Sequence, residues 1–181
     1  MKQNRQTNIA IFDLDGSLVE TDQANNAAYE SAAAKMGVKR VRGLYGRITA
    51  DVLRRSGLPE SDMNEIVKAK IEEYCHELWR TRLGPAADAL KWVLVDRSEF
   101  DKIVLLTDSN ERRAMETLKY WQMERFFDEI VCNSGRGDKY RNYFREFDTD
   151  PTASVVWENE EGKIRSAIAA GVQIENIRKV D

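Results

Sequence analysis

The chain of 181 residues carries 28 Lys and Arg against 31 Asp and Glu, a formal charge of −3, so it lacks both the basic excess of a nucleic-acid binder and an acidic tail. That length suits one domain of ordinary size with a small insertion and is cramped for two full domains. No apolar run approaches membrane-spanning length, the N-terminal stretch is polar, and Cys75 and Cys132 lie far apart without metal-ligand spacing. The expectation is a soluble, cytoplasmic protein whose thiols are reduced and buried as small hydrophobes.

The first element is Ile9-Ala10-Ile11-Phe12, an apolar run that stops at two carboxylates, Asp13 and Asp15, and then at Gly16. Such a run is too short for an amphipathic helix and reads as a buried strand of a parallel sheet. Ligands of open α/β sheets bind at the carboxyl ends of strands, which is where Asp13 and Asp15 fall; an Asp-Gly turn that merely ends a strand is the plainer alternative.

From residue 20 to residue 83 the pattern is helical throughout. Asp22 to Met36 spaces Ala24, Ala27, Ala28 and Ala32 as a thin apolar stripe, with Thr21 or Asp22 as N-cap and Gly37 as the stop. A break from Gly43 to Gly46 precedes a short helix over Thr49 to Ser56, ended by Gly57-Leu58-Pro59. Ser61 or Asp62 then caps a longer helix on which Val67, Ile71, Tyr74 and Leu78 recur. His76 on that helix reads as a partly buried structural residue, and Trp79 and Trp92 as core or hinge packing.

After Gly84-Pro85 strands and helices alternate. A helix over Ala86 to Val95 is followed by a second buried strand, Lys102 to Leu106, ending at Thr107-Asp108-Ser109-Asn110. A helix carrying Ala114, Leu118 and Trp121 leads to a short strand, Glu129 to Cys132, a loop containing Lys139, and a helix from Tyr140 to about Phe147. Ser154 to Trp157 is the fourth strand, ending in Glu158-Asn159-Glu160-Glu161-Gly162. A helix with Ile164, Ala167 and Ile168 follows, and Ile177 to Val180 forms a last strand. The pattern describes a doubly wound, Rossmann-like α/β core of residues 1–19 and 84–181 with an inserted helical domain, residues 20–83.

Polar groups stand at successive strand ends: Asp13 and Asp15, then Thr107, then Lys139 in the following loop, then Glu158 and Asn159. Phosphoryl transfer needs this inventory. A carboxylate attacks phosphorus and holds the group covalently, a second carboxyl handles the proton, donors meet the charge on the transferring oxygens, and hard oxygen ligands suit Mg²⁺. Each residue also has a structural alternative: Thr107 as a helix cap, Lys139 as a solvated lysine, Glu158 as a charge favoured by a helix dipole. Their joint placement is what points to chemistry.

These motifs resemble the haloacid dehalogenase-like hydrolase superfamily, in its magnesium-dependent phosphatase and sugar-phosphate mutase branch. Asp13-Leu14-Asp15-Gly16-Ser17 matches the first motif, Thr107 the second, Lys139 the third, and Glu158-Asn159 ahead of Ala169-Ala170-Gly171 the fourth. The resemblance implies an Mg²⁺-dependent phosphatase acting on a small phosphorylated metabolite, with residues 20–83 as a small helical cap. Asp13 would be nucleophile and metal ligand. Asp15 would be general acid and base, with its carbonyl on the metal. Thr107 and the backbone around Leu14 and Asp108 would bind the phosphoryl group, Lys139 would neutralise it, and Glu158 and Asn159 would complete the metal shell. Arg47 is the cap candidate for meeting a second group of the substrate.

The departure from the pattern is Asn159, where the family usually has Asp: an amide oxygen ligates Mg²⁺ without adding negative charge, so affinity is expected to fall unless Glu158 or Glu160 compensates. A sugar-phosphate mutase uses the same core residues, and a degenerate member that binds a phosphorylated ligand or a partner without turnover is the reading that Asn159 motivates. Neither the substrate nor the oligomeric state follows from the residues.

Overall fold

The innermost element of the sheet is β1 (Ile9–Phe12), whose four side chains are all fully buried. Their alternation sends Ile9 and Ile11 to one face and Ala10 and Phe12 to the other, and each face meets its own apolar layer. A strand covered on both sides has no reason to alternate polar and apolar residues, which explains the unbroken apolar run. The computed structural model describes residues 7–38, 41 and 46–181; the break expected to begin at Gly43 starts outside the described residues.

Five parallel strands form the main sheet in the order β5 (Glu129–Cys132), β4 (Lys102–Thr107), β1, β6 (Ser154–Glu158), β7 (Ile177–Lys179). The expected strands are all present, and β1 sits between β4 and β6 with Ile11 opposite Val104 and Val156. One layer packs Phe12, Ile103, Leu105 and Trp157 against Leu90 and Val93 of α4 (Ala86–Val95) and Leu118 of α5 (Glu111–Tyr120). The rings of Phe12 and Trp157 stack with centroids 4.3 Å apart. The other layer packs Ile9, Ile11, Val104, Leu106 and Val156 against Tyr140, Tyr143 and Phe144 of α6 (Lys139–Glu146) and Ala167 of α7 (Glu161–Ala169). Each large side chain buried in this way contributes about 1.5–3 kcal/mol.

The chain divides into two compact units, one made of residues up to Val19 together with Leu83–Asp181, the other of Glu20–Arg82. Two short strands, β2 (Val19–Glu20) and β3 (Arg82–Leu83), form a separate two-stranded sheet. On the sheet-bearing unit, Gly84 N–H donates to Leu18 O at 2.8 Å and Ala86 N–H to Ser17 O at 3.0 Å. A Cβ at Gly84 would stand 2.2 Å from the Ser17 carbonyl oxygen, so only glycine permits this approach.

The second unit contains α1 (Asp22–Lys35), α2 (Ala50–Arg55) and α3 (Glu60–His76). Thr49 caps α2, its hydroxyl accepting from Val52 N–H. Tyr29, Ala32, Ala33, Ile48, Leu53 and Ile66 make its core. Two expectations for α3 need correcting. The helix begins at Glu60 directly after Pro59, not at a cap on Ser61 or Asp62, and its buried face is Ile66, Lys70, Glu73 and Tyr74. The face includes charged residues because each is compensated. The Lys70 ammonium lies 5.0 Å and 5.6 Å from the ring centroids of Tyr29 and Tyr74. Glu73 accepts from the Ser31 hydroxyl at 2.7 Å and from Lys35 at 2.5 Å.

His76 is exposed, as are Trp79 at 63% and Trp92 at 74%, so none of the three is the packing residue that its chemistry suggested. Neither cysteine is in a disulfide, and both are half-buried. Among the described residues no helix is long and apolar enough to cross a membrane.

Candidate active site

Asp13 follows β1 directly and extends its ladder, its N–H donating to Trp157 O at 3.1 Å. The chain then closes a tight loop: Leu18 N–H donates to Asp13 O, Val19 N–H to Leu14 O, and Gly16 N–H to Val19 O. Gly16 has φ +81°, and a Cβ there would come within 2.3 Å of the Asn159 amide nitrogen. The loop therefore requires glycine twice, for its left-handed backbone and for the side chain packed upon it. Ser17 completes the contact by donating its hydroxyl to Asn159 Oδ1 at 3.1 Å.

Lys139 is the first residue of α6, and Asp138 is its N-cap, accepting from the N–H groups of Tyr140 and Arg141 at 3.1 Å. That cap fixes the start of the helix, and Lys139 reaches back into the sheet end. Its ammonium stands 2.6 Å from Asp13 Oδ1 and 2.9 Å from Glu158 Oε2. All three side chains are buried, with Lys139 only 2% exposed. Glu158 ends β6, accepts the Tyr140 hydroxyl at 2.9 Å on Oε2, and accepts the backbone N–H groups of Asn159 and Glu160 at 3.0 Å and 3.1 Å on Oε1.

One ammonium thus serves two carboxylates. Burial pushes the Asp13 carboxyl up to about 7 from its ordinary 3.8, because Lys139 returns only part of what desolvation and the neighbouring Glu158 and Asp15 charges take away. Burial disfavours the charge on Lys139, but Asp13, Tyr140 and Glu158 outweigh it and hold the ammonium well above its usual range. Tyr140 is held far above the ordinary phenol value, first by burial and then, against the pull of Lys139, by the adjoining carboxylates.

Asp15, two residues on, is paired separately. It accepts from the Ser109 hydroxyl on Oδ2 and from the Arg113 guanidinium on Oδ1, and all three side chains are buried. Thr107 closes β4 almost fully buried, and its hydroxyl oxygen accepts from Ser109 N–H at 3.1 Å. Asp108 is half-buried and accepts from Asn133 at 2.8 Å and from Lys163. The Cys132 thiol, opposite Thr107 in the sheet, is pushed up to about 11 by burial and by the Glu111 and Asp15 charges, which makes it a poor nucleophile.

Of the residues singled out in the sequence, Asp13, Lys139 and Glu158 meet directly, and Asp15, Thr107, Asp108 and Asn159 belong to the same unit. Arg47 belongs to the helical unit, where its Nε stands 3.3 Å from Asp22. Arg113 and Tyr140 are site residues that sequence reasoning passed over, and Ser17 and Ser109 are named there only as parts of motifs, without a role. Arg113 did carry a signal: it occupies the apolar face of α5 beside Ala114, Thr117 and Leu118, and an arginine on such a face needs a partner.

The donors around Asp13 are hard oxygens, the kind that suits Mg²⁺. Asp13 spends Oδ1 on Lys139, and its Oδ2 has no hydrogen-bond partner among the described residues. That open carboxylate oxygen, with the Asp15 carbonyl and the Asn159 amide oxygen, fits a hard cation in ligand chemistry. Glu158, also expected to ligate, meets four donors on its two oxygens. Among the described residues no group of three or more His, Cys, Asp or Glu side chains gathers as a metal site.

A five-stranded parallel sheet flanked by helices, with buried carboxylates sharing a lysine at its strand ends, is the doubly wound α/β architecture read from the sequence. The family model described as haloacid dehalogenase-like hydrolase matches residues 10–177, and the chain belongs to that family. It is 28% identical over 180 residues to the phosphorylated carbohydrates phosphatase of Thermotoga maritima, covering 90% of this chain and 81% of that protein. Its fold matches that of a mutant CbbY from Rhodobacter sphaeroides, solved in complex with xylulose-(1,5)bisphosphate, with a TM-score of 0.73 at 19% identity over 93% of this chain and 84% of that one. A haloacid dehalogenase-like family protein from Streptococcus pneumoniae matches with a TM-score of 0.71 at 20% identity over 92% of this chain and 82% of that one.

Proposed function

We propose that the protein is an Mg²⁺-dependent phosphatase of small phosphorylated carbohydrates that works through an aspartyl-phosphate on Asp13. The observation that carries this reading is the buried Asp13–Lys139–Glu158 cluster at the sheet's carboxyl end, in which Asp13 keeps Oδ2 uncommitted. The carbohydrate class comes from the relative in Thermotoga maritima. Glu20–Arg82 acts as a cap that selects the substrate, with Arg47 meeting its second polar group.

In the first step the Asp13 carboxylate attacks phosphorus. A P–O bond forms to the carboxylate as the P–O bond to the sugar oxygen breaks, and that oxygen takes a proton from the Asp15 carboxyl. In the second step water attacks the same phosphorus, gives its proton to the Asp15 carboxylate, and releases orthophosphate, which regenerates Asp13. Lys139 holds Asp13 in place and offsets the charge of the transferring group. Thr107 and the Asp108 backbone hold the phosphoryl oxygens. Asp13, the Asp15 carbonyl and Asn159 would hold Mg²⁺, which would supply further positive charge to those oxygens.

Phosphate release from a panel of sugar phosphates, and from p-nitrophenyl phosphate with and without Mg²⁺, tests the reading. Turnover abolished by EDTA and by Asp13→Asn is the expected result. Asn159 supports a second reading, a non-catalytic binder of phosphorylated ligands. No turnover at any Mg²⁺ concentration, with turnover restored by Asn159→Asp, would select it.

A further inference from the structure

The geometry points to Arg113 as a positioning residue for Asp15: its guanidinium, with the Ser109 hydroxyl, sets the carboxyl from which the leaving oxygen takes its proton. This rests on the acid–base role proposed for Asp15.

Three buried polar side chains converge here across sequence separations of 94 and 98 residues. The two contacts fall on different oxygens of Asp15, Ser109 on Oδ2 and Arg113 on Oδ1, so together they fix both the place and the rotation of the carboxyl. The support behind them is rigid. Asn110 caps α5 by accepting from Arg112 N–H at 3.1 Å, the Thr117 hydroxyl donates to Arg113 O at 2.8 Å, and Ala114 and Leu118 anchor the helix in the core. Ser109, just before the Asn110 cap, and Arg113, in the first turn of α5, face the same carboxyl.

The two carboxylates of the first motif are thereby served by different cations, Asp13 by Lys139 and Asp15 by Arg113. A buried arginine is costly to keep, and the Asp13 cluster does not use it. What it provides is alignment. Proton transfer requires the acid within hydrogen-bond reach of the departing oxygen, and small misplacements lower such steps sharply.

The test compares two aryl phosphates that differ in the basicity of the leaving oxygen. Phenolate, a base with a conjugate-acid pKa of about 10, as for the tyrosine phenol, needs a proton as it leaves, whereas the much weaker base p-nitrophenolate departs unaided. Arg113→Met is expected to lower kcat/KM for phenyl phosphate at least tenfold more than for p-nitrophenyl phosphate. Arg113→Lys, which keeps one charged donor, and Ser109→Ala are expected to show the same asymmetry at smaller size, and they carry the test if the Met variant does not fold. Equal losses on both substrates, or none on either, overturn the proposal. Asp13→Asn retaining full turnover would instead remove the phosphatase reading, a result distinct from any change in the substrate ratio.

Discussion

The Lys139 ammonium stands 2.6 Å from Asp13 Oδ1 across 126 residues of sequence, and the same nitrogen stands 2.9 Å from Glu158 Oε2. The two carboxylates end neighbouring parallel strands, and the lysine opens a helix packed on the sheet, so the contact is a direct product of strand order. Removing the ammonium leaves two buried carboxylates facing each other. Lys139→Met is expected to destabilise the protein by about 3–5 kcal/mol, the usual cost of stripping one partner from a buried ion pair. Urea denaturation followed by circular dichroism measures it, and an unchanged midpoint would contradict the cluster.

Asp13 gives a pH signature. Its carboxyl is raised to about 7 in the folded protein against 3.8 for the ordinary group, so between those values the folded state holds a proton that the unfolded chain has released. The stability this group contributes is complete below pH 4 and is lost as pH rises toward 7, by at most about 1.4 kcal/mol per pH unit. Asp13→Asn removes that slope while leaving the other carboxylates in place. Denaturation midpoints of both proteins at pH 5 and pH 8 should show the variant gaining on the parent as pH rises. A constant difference would mean that Asp13 titrates normally.

Much of the fold is legible because β1 and β4 are buried on both faces, and only a strand so placed tolerates four or five apolar residues in succession. Asp13, Thr107 and Glu158 are legible for a related reason, since each interrupts such a run where the strand ends. The face of α3 is not, because Lys70 and Glu73 are buried through partners on α1 that no local pattern reveals. The Arg113–Asp15 pair escapes for the same cause: it depends on how far a long side chain reaches once α5 is docked. Trp79 and Trp92 mislead in the opposite direction, since apolar character alone does not bury a residue on an outward face.

In the proposed site Asn159 is the ligand whose missing charge is expected to decide the cation affinity. Its amide oxygen is held by Ser17 at 3.1 Å and adds no negative charge, while Glu158 is occupied by its own four donors. Asn159→Asp places a full charge within the proposed site, where even a screened interaction with a divalent ion amounts to several kcal/mol before desolvation. Mg²⁺ or Mn²⁺ affinity, measured by titration calorimetry without substrate, is expected to tighten by about tenfold or more. Unchanged affinity would place the cation away from Asn159.

Asp138 separates stability from function. It caps α6 by accepting from Tyr140 and Arg141 N–H, and the very next residue is Lys139. Loss of an N-cap costs about 1 kcal/mol, an amount that leaves a folded protein. The first turn of α6 is, however, what aims Lys139 at Asp13 and Tyr140 at Glu158. Asp138→Ala is therefore expected to lower the denaturation midpoint slightly and to reduce phosphatase turnover by about tenfold or more, because alignment at the nucleophile is felt steeply in the rate. Turnover falling only in proportion to the folded fraction would show that Lys139 keeps its place without the cap and that the sheet end, rather than the start of the helix, positions the ammonium.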